Sequence, residues 1–539
     1  RIRGRDIFEK SEEKRSETPD KTLTFFDFGG QCAYYACHQI YLTRRAFYIV
    51  VVDASKDLDK VVDKEVCDQT DTLFSGWTYK EYFVFWLKSI HTYCSSVTGG
   101  NDDKVEVLIV ATHWDETIYK NKEHFVNSLY NVLPNNSHLP QYIQEDRCFC
   151  LGFPPTQSLK DLERCIVNIT LKSKWSEKIP HEWVFLNDKI NDKNSNHSMT
   201  SLKELRDKMP VEFTVKEVNT VDMLRYYHDA GKCLFFNERG LRDSIVTDVQ
   251  WFINAFKTTI TDKLHVKGII ASKEEWEEYY STGNLVDSLL NGIWKMEEEK
   301  MQAASQITFV DISERDDYES LNASGVNNIS YLYHKAALLK YMMRLGLLAV
   351  GEKCHYVPCM NKKSFDIVKK SFVQRFKEKT SVMVFQFDFL PFFLFYRLVV
   401  ALMQRKELEV LRSHATQCLY KNAAMFSYNN HYFVVAVTVN SIQLQIFESD
   451  GRLEKKTTLE IKAVIDGVLK DITDTFHKHL SYKTGFMCKE EQDQIIGVEI
   501  DKNFIEKGKL RTGTSMDCPL HQVEDHHTIN PDYLLGFWE

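Results

Sequence analysis

Residues 22–55, TLTFFDFGGQCAYYACHQIYLTRRAFYIVVVDAS, constrain this chain more than any other stretch. Two short apolar runs, 22–26 and 46–52, flank a Gly-Gly loop. Their length and composition predict strands of a parallel sheet covered on both faces. Asp27 falls where the first strand should end, with Gly29, Gly30 and Gln31 next and a helical segment over 34–41. Ligands of open α/β sheets bind beyond the carboxyl ends of the strands, which puts Asp27 at the expected site. A carboxylate there suits a metal-bound water, Gly30 lets its backbone N–H approach a phosphate, and Gln31 suits orienting an attacking water. On these residues alone, a tight Asp-Gly loop without a ligand is an equally good reading.

A second signal separates the two. The run 105–111, VEVLIVA, predicts another buried strand and leads directly into Thr112-His113-Trp114-Asp115. A carboxylate held at a strand end, as Asp115 would be, can accept two hydrogen bonds from N1–H and the N2 amino group of guanine. Adenine lacks that donor pair. Thr-x-x-Asp after a strand is common by chance, but is much rarer downstream of a strand ending in Asp-x-Gly-Gly-Gln.

Together, Asp27-Phe28-Gly29-Gly30-Gln31, Tyr34-Tyr35, His38-Gln39, Tyr41-Leu42-Thr43-Arg44-Arg45-Ala46 and Thr112-His113-Trp114-Asp115 resemble the Roc GTPase domain of Roco proteins. That family includes the leucine-rich-repeat kinases, and the 41–46 run is a Roc feature, not a general one of small GTPases. The resemblance implies GTP/GDP and Mg2+ as cofactors, with Asp27 holding magnesium through water and Gly30 touching the γ-phosphate. Thr112, His113 and Asp115 would read guanine. Gln31, with Arg44 or Arg45, would carry hydrolysis by placing water and neutralising developing charge. The family's base-contacting Ser-Ala-Lys loop would fall near 151–153, where this chain departs from it. No Gly-x4-Gly-Lys-Ser/Thr phosphate loop occurs in the sequence, since Gly231-Lys232 and Gly508-Lys509 lack the first glycine and the hydroxyl residue. That loop supplies most of the phosphate affinity. Residue 1 is Arg, so the chain is expected to be a fragment whose phosphate loop lies upstream, and residues 1–170 alone are expected to bind nucleotide weakly.

The expected fold class is therefore an incomplete Ras-like α/β GTPase fold over 1–171, then α+β winged-helix and α+β sheet-helix domains. A polar linker is expected over 172–200 and helices with short strands over 201–380. Within that region 221–230 reads as a helix and 233–236 as a strand. The stretches 231–236 and 241–252 look like the COR signature, and helix, wing strand and helix suggest winged-helix units (COR-A). Helix 392–403 and alternating strands at 423–426, 432–439 and 442–447, turning at Asn429-Asn430, suggest COR-B over 381–480. Its many aromatics are expected to leave an apolar face that a second copy covers, so self-association through COR is expected. The tail 481–539 holds Cys488, Cys518, His521 and His526, ligand types suited to zinc but loosely spaced.

A formal charge of −8 argues against nucleic acid as a partner. Thirteen scattered cysteines without a signal peptide point to reduced thiols and a cytoplasmic setting. The longest apolar run, 389–403, contains Pro391 and Arg397 and falls short of the ~20 residues of a membrane span. Two functional readings follow. One is a GTPase switch that relays nucleotide state to COR and to protein effectors. The other is a non-catalytic dimerising scaffold with an incomplete GTPase half. The sequence has no usable protein-kinase motif set, so a kinase activity would belong to a longer parent only.

Overall fold

The computed structural model describes residues 23–29, 35–38, 40–64, 67, 69, 72–94, 105–134, 137–154, 157–172, 179–180, 183–184, 198–207, 217–260, 273–305, 329–351, 354–413, 416–449, 451–476, 480–488, 494–499, 503–510, 515–518 and 527–539. Its first helix, α1, is a single turn at Tyr35–His38. Three parallel strands follow, β1 (Tyr48–Asp53), β2 (Val107–Thr112) and β3 (Cys148–Cys150), in the order β1-β2-β3. β1 and β2 are β-branched runs of the sequence, and the pleat sends alternate side chains to opposite faces. One face, with Val50, Val52, Ile109 and Ala111, is covered by α2 (Tyr79–Cys94) and α3 (Lys122–Asn131) through Phe83, Leu87, Phe125 and Leu129. The other, with Leu108, Val110 and Phe149, meets Leu162 and Ile169 of α4 (Gln157–Thr170). Asn121 starts α3 by accepting from the His124 N–H, 2.8 Å away.

The strand expected at 22–26 does not form. Residues 23–29 run as irregular chain with Leu23, Phe25 and Phe26 exposed. A strand needs a neighbour to satisfy its N–H and C=O groups, and no strand pairs with 23–26 among the described residues. Local aromatic contacts hold the segment instead. Phe26 stacks on Tyr41 with ring centroids 4.5 Å apart, and Phe28 meets the edge of His38 at 4.9 Å.

The middle region comprises β4 (Met199–Thr200), α5 (Leu202–Asp207), α6 (Glu217–Asp229), β5 (Ile245–Val246), α7 (Val249–Lys257), α8 (Lys273–Thr282), β6 (Asn284–Val286), α9 (Asp287–Ser305), α10 (Lys335–Arg344) and β7 (Cys354–Tyr356). Asp248 caps α7 by accepting from the Trp251 N–H. The strand expected at 233–236 shrinks to one bridge, Leu234 to Val246, on the side of β5 opposite its partner β4. The polar stretch read as a linker to 200 thus ends in a strand. Tyr35, Phe74 and Phe85 of the N-terminal unit share a buried cluster with Phe252, Tyr279, Trp294 and Tyr341 of the middle region. Neither region has that core alone.

Next come α11 (Lys369–Val373), β8 (Glu378–Lys379), β9 (Met383–Phe387), α12 (Phe392–Met403), β10 (Glu409–Val410), the hairpin β11 (Arg412–Ser413) and β12 (Thr416–Gln417), β13 (Ala423–Tyr428), β14 (His431–Val437), β15 (Ser441–Glu448) and α13 (Lys455–Phe476). The chain finishes with β16 (Tyr482–Met487), β17 (Phe504–Glu506), β18 (Met516–Asp517), β19 (Thr528–Ile529) and α14 (Pro531–Leu535). The large sheet has the order β10-β13-β14-β15-β9-β16-β17, with β8 also on β15. Asn429 and Asn430 turn β13 into β14 with φ of 46° and 63°, the left-handed pair that a two-residue hairpin requires.

Two expectations for this region are overturned. The apolar face expected to await a second copy is covered within the chain. Leu394, Leu398 and Leu402 of α12, with Ile461, Ile465 and Leu469 of α13, bury one side against Phe385, Phe433 and Leu444. Phe365 and Phe372 bury the other against Val384, Val434 and Phe447. The residues read as a tail are also part of the sheet. β16 pairs with β9, Gln494 Oε1 accepts from the Val382 N–H at 3.0 Å, and the buried Trp538 indole N–H donates to Ser381 Oγ at 2.9 Å.

Middle and C-terminal regions meet at α10 and α12. Arg397 is fully buried, donates from Nε to the Leu345 carbonyl at 3.0 Å, and lies 3.6 Å above the Phe476 ring. Burial pulls its guanidinium down to about 10. Gly346 has φ +72°, and a Cβ there would stand 2.8 Å from Arg397 Cα. Only glycine allows this approach.

Candidate functional site

β1 and β2 end on the same rung, Asp53 opposite Thr112, so two polar side chains leave the sheet side by side. Thr112 Oγ1 donates to the Val52 carbonyl at 3.4 Å and the Ala54 N–H bonds the Thr112 carbonyl at 3.0 Å. Thr112 therefore ties the two strands together. His113 follows with φ 52°, and its Nδ1 lies 3.3 Å from Asp53 Oδ1. Asp53 also accepts from the Ser55 N–H and hydroxyl. Asp53 is the residue that the sequence reading missed, although it ends a strand just as Asp27 was expected to.

Asp115 sits in a 3-10 turn, Trp114–Glu116, with its side chain exposed. The Phe153 N–H donates to its Oδ1 at 2.9 Å, and this bond holds the carboxyl below the usual carboxylate range. Asp115 is thus ionised near neutrality. A carboxylate offers about four lone-pair positions, so capacity remains for further donors. The loop at 151–153 is fixed to the turn from both sides, since the Trp114 N–H bonds the Leu151 carbonyl at 3.1 Å. A Cβ on Gly152 would fall 2.8 Å from Asp115 Oδ1 and 2.9 Å from its backbone nitrogen. The loop that departs from the expected Ser-Ala-Lys pattern therefore still lies against Asp115, with Gly152 allowing the approach.

The other expected site residues are distributed differently. Asp27 is exposed within the irregular 23–29 segment, and Gly30 and Gln31 lie outside the described residues. Arg45, expected at the phosphates, is turned to the middle region. Its guanidinium carbon is 4.2 Å above the Tyr226 ring on α6 and its Nη1 donates to a tyrosine hydroxyl at 2.9 Å, also that of Tyr226. Thr43 Oγ1 donates to the Asp229 carbonyl at 2.6 Å and the Tyr41 hydroxyl to Gln250 Oε1 at 3.0 Å. The segment 41–45 is a joint to the middle region, and the aromatic-basic composition that drew attention to it serves that contact. Arg44 is exposed. In the C-terminal region, Cys488 and Cys518 come together with His527, while His521 and His526 lie outside the described residues.

The family model for the C-terminal of Roc, COR-A domain matches residues 180–314. A probable serine/threonine-protein kinase of Dictyostelium discoideum, pats1, is 22% identical over 250 residues, which are 45% of this chain and 7% of that protein. Among solved structures, Methanosarcina barkeri Roco2 RocCORdC bound to GDP aligns with 60% of this chain and 76% of its own at 15% identity, with a TM-score of 0.34. The chain spans a small part of the length of its Dictyostelium relative. Over residues 180–314 the chain is similar to the COR-A domain that follows Roc.

Proposed function

We propose that this chain acts in a Roc-COR signalling switch, in which a guanine nucleotide at the strand ends of the N-terminal unit alters how that unit sits on COR-A. The observation that carries the reading is the ionised, exposed Asp115 carboxylate, held at the end of β2 by the 151–153 loop. Its remaining acceptor positions suit N1–H and N2 of guanine. The joint at 41–45 supplies a route from that unit to α6 and α7. Asp27, an exposed carboxylate, suits outer-sphere contact with magnesium, and Gly30 and Gln31 are assigned to the γ-phosphate and the attacking water. The nucleotide would supply the transferable γ-phosphoryl group. Self-association through COR and contact with protein effectors belong to the same reading. The kinase activity in the name of the Dictyostelium relative is not carried over.

The test is nucleotide binding by the full-length protein. Asp115→Asn should weaken GTP about tenfold or more, the loss of a charge-assisted hydrogen bond, and shift preference toward xanthine nucleotides. Gly152→Ala should move the loop off Asp115 and weaken guanine nucleotides in the same direction. Unchanged GTP affinity in Asp115→Asn would remove Asp115 from the site.

A further inference from the structure

The C-terminal region holds a second chemical constellation, independent of the nucleotide site. Cys488 leaves the end of β16, while Cys518 and His527 lie opposite each other on the β18–β19 hairpin, where the Cys518 N–H donates to the His527 carbonyl at 3.0 Å. Residues opposed in this way project to the same face of a hairpin. The ligand atoms of Cys488, Cys518 and His527 all lie within 4.8 Å of one another. Both cysteines are fully buried and neither is in a disulfide. His527 Nε2 lies 2.7 Å from the Cys488 carbonyl oxygen. A carbonyl only accepts, so Nε2 carries the proton in this contact and the lone pair belongs to Nδ1. This is the arrangement by which a carbonyl behind the ring fixes the tautomer and orientation of a metal-ligating histidine.

We infer that Cys488, Cys518 and His527 form a structural zinc site that fastens the C-terminal hairpin to the end of β16 in the large sheet. Two thiolates and an imidazole are soft and borderline donors that favour zinc over magnesium or calcium, and three such ligands leave a fourth tetrahedral position for water or another donor. On binding, each thiol loses its proton to solvent and both sulfurs become thiolates, with no change of oxidation state. The fastening acts where it matters for the fold. The hairpin leads into α14 and Trp538, whose indole reaches Ser381 at the start of β9.

The decisive measurement is the metal content of the purified full chain. About one zinc per chain is expected, falling at least fivefold in Cys488→Ser/Cys518→Ser and in His527→Ala, and unchanged in the control Cys165→Ser. Folding is separated from binding by stripping zinc from the wild-type chain with a chelator and reloading with cobalt. Tetrahedral d–d absorption with thiolate-to-cobalt charge transfer is expected, with hydrogen exchange over 516–539 rising on stripping and falling on reloading. A zinc-free wild-type chain that gives only octahedral cobalt spectra would overturn the site. So would metal content that survives the double cysteine substitution, or a Cys488–Cys518 disulfide found by mass mapping of protein kept under reducing conditions.

Discussion

The two largest sheets among the described residues are stabilised in different ways. The C-terminal sheet has a helical layer and a second apolar layer on its two faces, and residues as distant as Gln494 and Trp538 close its edges and network. The N-terminal sheet has three strands, leaves Val51 62% exposed, and is covered on its two faces by its own helices, one of which, α2, places Phe85 in a cluster shared with the middle region. The C-terminal core is mostly of its own making, whereas the N-terminal unit has a helix face that is completed by a different domain. A switch needs the second kind, because a unit whose packing depends on another can report its state to it. The comparison makes the N-terminal unit the first to yield.

The largest effect expected from breaking this asymmetry is at Phe85. Its ring stacks on Tyr35 with centroids 5.6 Å apart, meets Phe389 at 5.8 Å, and is 3% exposed. Phe85→Ala should cost about 3–5 kcal/mol, the range for a buried Phe truncated to Ala. Hydrogen exchange should accelerate across α1, α2 and α7 while β13 to β15 keep wild-type protection. Equal loosening of both sheets would mean that the two fold as one unit. The same dependence implies that residues 1–171 expressed alone should lack stable tertiary structure.

A smaller effect is expected where the middle region meets the C-terminal one. Gly346→Ala adds a left-handed backbone penalty and a Cβ 2.8 Å from Arg397 Cα. A loss of about 2–3 kcal/mol follows from those two terms. Thermal unfolding followed by tryptophan fluorescence should show it. An unchanged midpoint would mean that α10 and α12 can separate without cost.

Much of this was legible in the sequence, and the failures share one cause. Runs such as YIVVVD and VLIVAT specify strands through their own composition, and Asn429-Asn430 specifies its turn through backbone preference. What could not be read depends on partners. Residues 23–26 have strand composition but no neighbouring strand, the apolar β14 and β15 gave no sign of the layers over them, and Arg45 looked catalytic because Tyr226 is 181 residues away. The one signal for that contact was the Tyr226-Tyr227 pair, in which Tyr227 is buried and its neighbour is left at the surface.

Acidification should weaken the same seam selectively. His38 is buried among Phe28, Tyr35 and Trp86, its Nδ1 has no hydrogen-bond partner, and burial, with Lys257 nearby, pushes its imidazole down to about 3. In the unfolded chain an ordinary histidine takes up a proton near 6.5. The unfolded state thus binds more protons between these values. Stability is complete above about pH 6.5 and is lost as pH falls toward 3, by about 2 kcal/mol at pH 5. His38→Gln should flatten this part of the pH profile, and an equally steep profile in that variant would assign the loss to other groups.

The smallest expected effect bears most directly on the switch. Arg45 and Tyr226 are joined by a ring contact and a 2.9 Å hydrogen bond, both at the surface. Exposed cation–π contacts contribute about 0.5–1 kcal/mol and a net hydrogen bond a similar amount. A double-mutant cycle of Arg45→Ala and Tyr226→Leu should therefore give a coupling of about 1 kcal/mol, read from urea unfolding of the N-terminal unit. If the joint transmits nucleotide state, that coupling should differ between the nucleotide-free and the guanine-nucleotide-bound full-length protein, because a ligand can shift only an equilibrium whose two states it binds differently. A coupling near zero in both states would leave the apolar cluster and the Thr43 and Tyr41 hydrogen bonds to connect the two regions, and would return Arg45 to the set of side chains available to the phosphates.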